Sequence, residues 1–169
     1  MIETRFGRSK AWRVLRRSWD DGQMTDMGDI LVDEGMTQVP YAVYDDEEIY
    51  ARERARLFQG PTWNFLGLEC EVPDAGDFKT TFLGDIPVVL VRGKDGKVRG
   101  FENRCAHRGA LLCLERFGNA KAFTCVYHAW SYDYDGNLVG VAFQNGVKGE
   151  GGMPDSFKRE EHGLRRLKI

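Results

Sequence analysis

Two short segments of this 169-residue chain hold residues suited to metal or redox chemistry, Cys105-Ala106-His107-Arg108-Gly109 and Cys125-Val126-Tyr127-His128. The 17 residues 108–124 separate His107 from Cys125, and each segment offers one thiolate and one imidazole. The chain has only three histidines and four cysteines. Two of each gathered in matching pairs is therefore its most informative feature. Placed in loops at the ends of strands, the segments would converge as two fingers on one metal centre.

The donor types narrow the choice of metal. A mononuclear zinc site can use two cysteines and two histidines. Zinc fingers, however, usually group the cysteines in one segment and the histidines in another, whereas each segment here is mixed and Cys105 and His107 are one residue apart. Mixed loops suit a binuclear iron–sulfur cluster with the cysteines on one iron and the histidines on the other. On the residues alone, zinc stays open as the alternative. Taken singly, each residue is read as an ordinary core or surface histidine or a buried thiol. Together, with Gly109 permitting a tight loop, they are read as a ligand set.

Electrostatics gives that ligand set a function. Replacing two anionic thiolates by neutral imidazoles makes an added electron less costly, raising potentials to about −150 to +300 mV from about −400 mV for all-cysteine plant-type clusters. Histidine ligands can also lose a ring proton, which couples electron to proton uptake. The site reads as an electron relay and not as a hydrolytic centre.

Other residues nearby are weighed the same way. Arg108 can pair with a partner's carboxylate or order its own loop, and Trp130 can shield the cluster, shape a docking surface or pack the domain. Tyr127 is expected to pack in the core, with hydrogen bonding near a cluster sulfur as the alternative. Cys70 and Cys113 are expected to be free thiols, His162 a loop residue, and Asp133 and Asp135 turn residues. A Gly-rich phosphate loop, a nucleophile–base pair and a nucleotide fingerprint are all missing from the sequence.

The elements that must position the ligands are mostly short strands. Runs at 62–68, 78–83, 87–92, 97–102, 122–126, 131–134 and 138–143 are rich in β-branched and aromatic residues and are separated by turn signals. Lys94-Asp95-Gly96-Lys97 and Asp135-Gly136-Asn137 read as hairpin turns. Such spacing predicts a small antiparallel sandwich or barrel, with a Gly-rich loop at 146–155 and a further strand beginning at Leu164. A helix is predicted over 45–60, capped by Asp45 or Asp46, with Ile49 and Leu57 facing inward, joined by Ala55 and Phe58, and stopped at Gly60-Pro61. Residues 1–38 read as a flexible or partly helical extension, 39–61 as a helical lead-in, and 62–169 as the metal-binding domain. The extension mixes Arg5, Arg8, Lys10, Arg13, Arg16 and Arg17 with Trp12, Val14, Leu15 and Trp19. It reads as a poorly ordered arm, a basic amphipathic segment that touches a partner or membrane surface being the alternative. Met24, Met27 and Met36 also allow a later translation start.

Composition sets the outer bounds. The chain carries 24 Lys and Arg against 26 Asp and Glu, a formal net charge of −2, and is 42% hydrophobic. Charge this balanced creates no field to gather phosphates or anionic lipid, which argues against nucleic acid and membrane as partners. The sequence has neither an apolar run of the roughly 20 residues that span a bilayer nor a secretory signal, so a cytoplasmic location is expected.

The segments Asn103-Arg104-Cys105-Ala106-His107-Arg108-Gly109-Ala110 and Phe123-Thr124-Cys125-Val126-Tyr127-His128-Ala129-Trp130-Ser131-Tyr132 closely resemble the Rieske non-haem iron aromatic-ring-hydroxylating dioxygenase α subunits. The likeness runs from about Val39 to Leu164, and its later part, with Gly151-Gly152-Met153-Pro154, looks nearest to salicylate- and anthranilate-type hydroxylases. The resemblance implies a Rieske [2Fe-2S] cluster on Cys105, His107, Cys125 and His128, with Arg108, Tyr127 and Trp130 as flanking candidates. It implies electrons from a ferredoxin or reductase, delivery to a mononuclear Fe(II), and α and possibly β subunits in an oligomeric oxygenase. That iron site needs two histidines and a carboxylate, and only His162 remains uncommitted. The chain is therefore expected to be the electron-transfer portion, ending before the catalytic domain, with no catalytic residue of its own. A stand-alone Rieske ferredoxin is the alternative. Respiratory-type Rieske proteins carry an additional cysteine in each loop, where this chain has Ala110 and Tyr127, so the lower part of the potential range is expected.

Overall fold

The computed structural model describes residues 42–169, and the expected 1–38 extension lies outside the described residues. One compact unit runs from Trp63 to Ile169; the described residues up to Thr62 belong to another.

The earlier unit is helical. A short α1 (Ala42–Asp45) precedes α2 (Glu47–Glu53), and a π-helical turn continues it over Arg54–Phe58. Asp46 caps α2, accepting bonds from the Glu48 and Ile49 amides at 2.9 Å each, where its charge also meets the positive helix end. Ile49 is buried as expected, but Leu57 is exposed. In the π turn the Gln59 amide reaches back five residues to the Arg54 carbonyl. The wider turn moves Leu57 off the 3.6-residue face on which Ile49 lies.

The later unit is built on two antiparallel sheets. The larger has the order β4-β1-β2-β3-β8, from β1 (Asp77–Leu83), β2 (Ile86–Arg92), β3 (Val98–Glu102), β4 (Phe117–Asn119) and β8 (Arg166–Leu167). The smaller is β5 (Phe123–Thr124), β6 (Ser131–Tyr132) and β7 (Leu138–Gly140), in sequence order. Central β2 is buried at five consecutive positions, because both its faces are covered, and so it reads as a continuous apolar run without alternation. Val89 and Val91 of β2 share one core with Phe101, Cys105, Cys113, Phe123, Cys125, Trp130 and Tyr132. The two sheets thus meet on the segments that carry the ligand candidates.

The mostly antiparallel β fold agrees with the expectation, and so do the hairpin turns, with Gly96 and Gly136 at φ 77° and 75°. Several strands differ. Residues 64–68 form no strand: Trp63, Phe65 and Leu68 are exposed and Leu66 alone is buried. Apolar residues occupy both parities of that stretch, so it has β propensity but no consistent face to bury. The runs at 122–126, 131–134 and 138–143 shorten to β5, β6 and β7 because Cys125 leaves the ladder to enter a turn, Asp133 opens the β6–β7 hairpin turn, and Phe143 adopts φ 54°. Strand β4 was not anticipated. It pairs Gly118 with Phe78, and a Cβ on Gly118 would lie 2.8 Å from the Phe78 ring, so the residue that permits this pairing is also a weak strand former.

Candidate metal centre

Each ligand segment folds as a six-residue turn, and the two turns are the same. In the first, the Gly109 amide donates to the Cys105 carbonyl (2.9 Å) and the Cys105 amide to the Ala110 carbonyl (2.8 Å). In the second, the Ala129 amide donates to the Cys125 carbonyl (3.0 Å) and the Cys125 amide to the Trp130 carbonyl (2.8 Å). The fifth residue has a left-handed backbone in both, Gly109 at φ 72° and Ala129 at φ 53°. Glycine takes that conformation without penalty; alanine does so only where the surrounding bonds impose it. The first turn follows β3, and the second joins β5 to β6, which pair Phe123 with Tyr132 and Thr124 with Ser131.

The turns sort their donors by depth. Cys105 and Cys125 are buried, while His107 and His128 are half-buried with ring centroids 4.7 Å apart and planes at 74°. Burial, followed by the neighbouring charges of His128 and Arg108, holds the His107 imidazole below its usual range. A neutral ring with a free nitrogen is the form that binds metal. Two thiols beneath two imidazoles on paired turns fit a group that takes two sulfur and two nitrogen ligands. Among the described residues, no three His, Cys, Asp or Glu side chains gather at one ion-sized point. The fit rests on the donor chemistry and the matched turns.

The flanking residues fall into place around this pair. Trp130 is buried and stacks on His107 at 4.7 Å, with 12° between planes. Its other neighbours are Phe157 and His162, both met edge-on; His162, expected in a loop, closes the 3-10 turn Arg159–His162 and stacks on Phe157 at 4.7 Å. Arg108 is exposed and acts on His107 through its charge. Tyr127 does not pack in the core: it is 60% exposed, and its ring lies against His128 at 3.9 Å.

The tyrosine that reaches a candidate ligand sulfur is Tyr132, which has no exposed surface. Its hydroxyl lies 3.2 Å from Cys105 Sγ and accepts the Ala106 amide at 3.1 Å. Burial raises its pKa, and the bond to Cys105 adds to the effect, so the hydroxyl stays protonated. Alternation along β6 turns Tyr132 inward, a signal legible in the sequence once β6 is known. Cys113 is a free thiol that burial pushes up to about 12, and Cys70 is free and exposed. Asp133 serves the β6–β7 turn through bonds to the Asp135 and Asn137 amides. Asp135 pairs with Arg99 at 2.6 Å.

This fold with paired cysteine–histidine turns defines an iron–sulfur protein class, and residues 62–149 match the family described as the Rieske [2Fe-2S] domain. The chain belongs to the Rieske [2Fe-2S] domain family. Over 133 residues it is 54% identical to the anthranilate 1,2-dioxygenase large subunit of Burkholderia cepacia, covering 79% of this chain and 31% of that one. It is 55% identical over 133 residues to the terephthalate 1,2-dioxygenase terminal oxygenase component subunit alpha 2 of Comamonas sp, covering 79% and 32%. A solved naphthalene 1,2-dioxygenase with indole bound in its active site superposes with a TM-score of 0.66 at 34% identity, covering 75% of this chain and 27% of that one. The chain thus spans about a third of the length of the curated relatives it matches. These likenesses agree with the resemblance to Rieske oxygenase α subunits, anthranilate type included. Among the described residues no helix is long and apolar enough to cross a membrane.

Proposed function

We propose that Cys105 and Cys125 ligate one iron of a [2Fe-2S] cluster and His107 and His128 the other, and that this chain is the electron-transfer portion of an aromatic-ring-hydroxylating dioxygenase α subunit. The observation that carries the reading is the pair of matched turns, each presenting a buried thiol below a half-buried imidazole. When bound, the cluster would take up and release single electrons at a potential raised by its two neutral ligands. The chain's own residues hold that group, exclude water from its sulfur side with Trp130, Phe123 and Tyr132, and keep the Tyr132 proton directed at Cys105.

The rest of the proposal follows from the family. Electrons come from a ferredoxin or reductase and pass to a mononuclear non-haem Fe(II) in a catalytic domain outside this chain, within an oligomer of α and possibly β subunits in the cytoplasm. Relatives named as a dioxygenase large subunit and a terminal oxygenase alpha subunit favour this reading over a stand-alone Rieske ferredoxin. The domain comprises residues 62–169 after the helical turns of residues 42–58; a compact unit beginning at Trp63 supports that boundary.

The test is compositional and spectroscopic. Purified without oxygen, the protein should be red-brown and hold about two irons and two inorganic sulfides per chain. One zinc and no sulfide would refute the ligand reading. His107→Cys should lower the potential wherever the cluster survives; an unchanged potential in an intact cluster would remove His107 from the ligand set.

A further inference from the structure

We infer that Asn103 is a positioning residue for the first ligand turn, its side chain standing in for the strand pairing that the second turn has and the first lacks. This inference rests on the ligand assignment just proposed. Asn103 is the one buried residue of polar or charged type among the described residues, at 3% exposure. Its amide makes a two-point contact with a single partner across the base of the turn: Nδ2 donates to the Cys113 carbonyl at 2.8 Å, and the Cys113 amide donates to Oδ1 at 2.8 Å. Its own backbone amide donates to the Pro87 carbonyl of β2 at 2.7 Å. One residue therefore joins the central strand to both arms of the segment that carries Cys105 and His107.

Comparison of the two turns shows what this contact replaces. Beneath the second turn lie two cross-strand pairs, Thr124 with Ser131 and Phe123 with Tyr132, and the Thr124 and Ser131 hydroxyls are 2.8 Å apart. Beneath the first lies a single isolated bridge, Arg104 with Leu111. The next position outward, occupied by Phe123 in the second turn, is Asn103 in the first. There the pairing passes from backbone to side chain, with donor and acceptor satisfied as a strand would satisfy them. A buried amide with both polar ends bonded is rigid, because breaking either contact leaves a desolvated group unpaired. Cluster ligands on two separate turns need that rigidity, since a shift of one turn against the other misplaces half the ligand set.

The experiment compares Asn103→Leu, which removes both bonds at similar volume, and Asn103→Asp, which keeps an acceptor for the Cys113 amide and loses the donor. Val72→Ala serves as control. Val72 is buried, and its carbonyl bonds Arg92 at the end of β2 opposite Pro87. Each full chain is loaded with cluster, and three quantities are read: the unfolding midpoint, the rate of visible-absorbance bleaching well below that midpoint, and the EPR line shape of the reduced cluster. Asn103→Leu should bleach about tenfold faster than the parent or more, with broadened or shifted EPR features, and Asn103→Asp should fall between. Val72→Ala should lower the midpoint with parental bleaching and line shape. Should Asn103→Leu not fold, Asn103→Asp decides by the same two readouts. The inference is overturned if the folded Asn103 variants match Val72→Ala at equal loss of midpoint. A parent chain that takes up no iron and sulfide would instead bring down the ligand assignment, and this inference with it.

Discussion

Removing one hydroxyl, in Tyr132→Phe, tests whether the buried tyrosine of β6 supports the site. The ring is fully buried and phenylalanine fills its place, so no cavity forms and the change isolates two hydrogen bonds. One runs to Cys105 Sγ at 3.2 Å and one from the Ala106 amide at 3.1 Å. A bond to a charged group contributes about 1.5–3 kcal/mol and a neutral one about 1 kcal/mol, but the partly buried Ala106 amide recovers some of this from water. A net loss of about 2 kcal/mol follows, equivalent to roughly 8 °C in the unfolding midpoint of a unit this size. The bond to sulfur also matters to electron affinity. A donor aimed at a ligand thiolate favours the reduced, more negative cluster, so its loss should lower the potential. If about 1 kcal/mol of that bond is specific to the reduced state, the shift is about 40 mV. A dye-coupled redox titration of loaded parent and variant, with a thermal melt of each, reads both quantities. A variant that melts with the parent and titrates within about 10 mV of it would show that the Tyr132 hydroxyl supports neither the turn nor the cluster.

Three further outcomes are expected. Ala129→Gly should raise stability by about 0.5–1 kcal/mol, because φ 53° costs an alanine what it does not cost glycine; a destabilised variant on chemical denaturation would show that Ala129 is not strained. Trp130→Ala should cost about 3 kcal/mol and leave His107 without its stacked neighbour, read as a lower melting point with faster loss of visible absorbance, and an unchanged bleaching rate would reduce Trp130 to packing alone. The hydrogen bond from Arg99, reinforced by the Lys97 amide, holds the Asp95 carboxyl below its ordinary range. Its contribution is complete above the unfolded pKa of about 4 and is lost as pH falls toward the lowered folded pKa. Asp95→Asn should therefore flatten the acid limb of midpoint against pH below about 4, and an unaltered limb would show that the pair adds nothing there.

The proposed ligand set was legible because its information is chemical: Cys105, His107, Cys125 and His128 stand out as candidates by type and spacing, whatever the packing around them. The hairpins at Gly96 and Gly136 and the capped helix at Asp46 were legible for a related reason, since each depends on a few adjacent residues. What was misread depends on partners distant in sequence. Tyr127 and Tyr132 both lie close to a ligand in the chain, and only the path of the turn into β6 decides that the first faces outward and the second bonds Cys105. Leu57 fits a helical face until a π turn rotates it away, and β4 exists because Gly118 lets the Phe78 ring pass.

The sequence by itself thus determined the candidate donors, their mixed sulfur and nitrogen chemistry and the β character of the domain, because local chemistry and alternating polarity are properties of the chain. Tertiary structure alone decided that the two ligand segments fold as one turn twice over, that sulfur lies deep and imidazole shallow, and that Asn103 and Tyr132 brace the first turn. Those features arise when β2, β3 and β6 bury their shared core, which sets distances between residues that the linear order leaves unrelated.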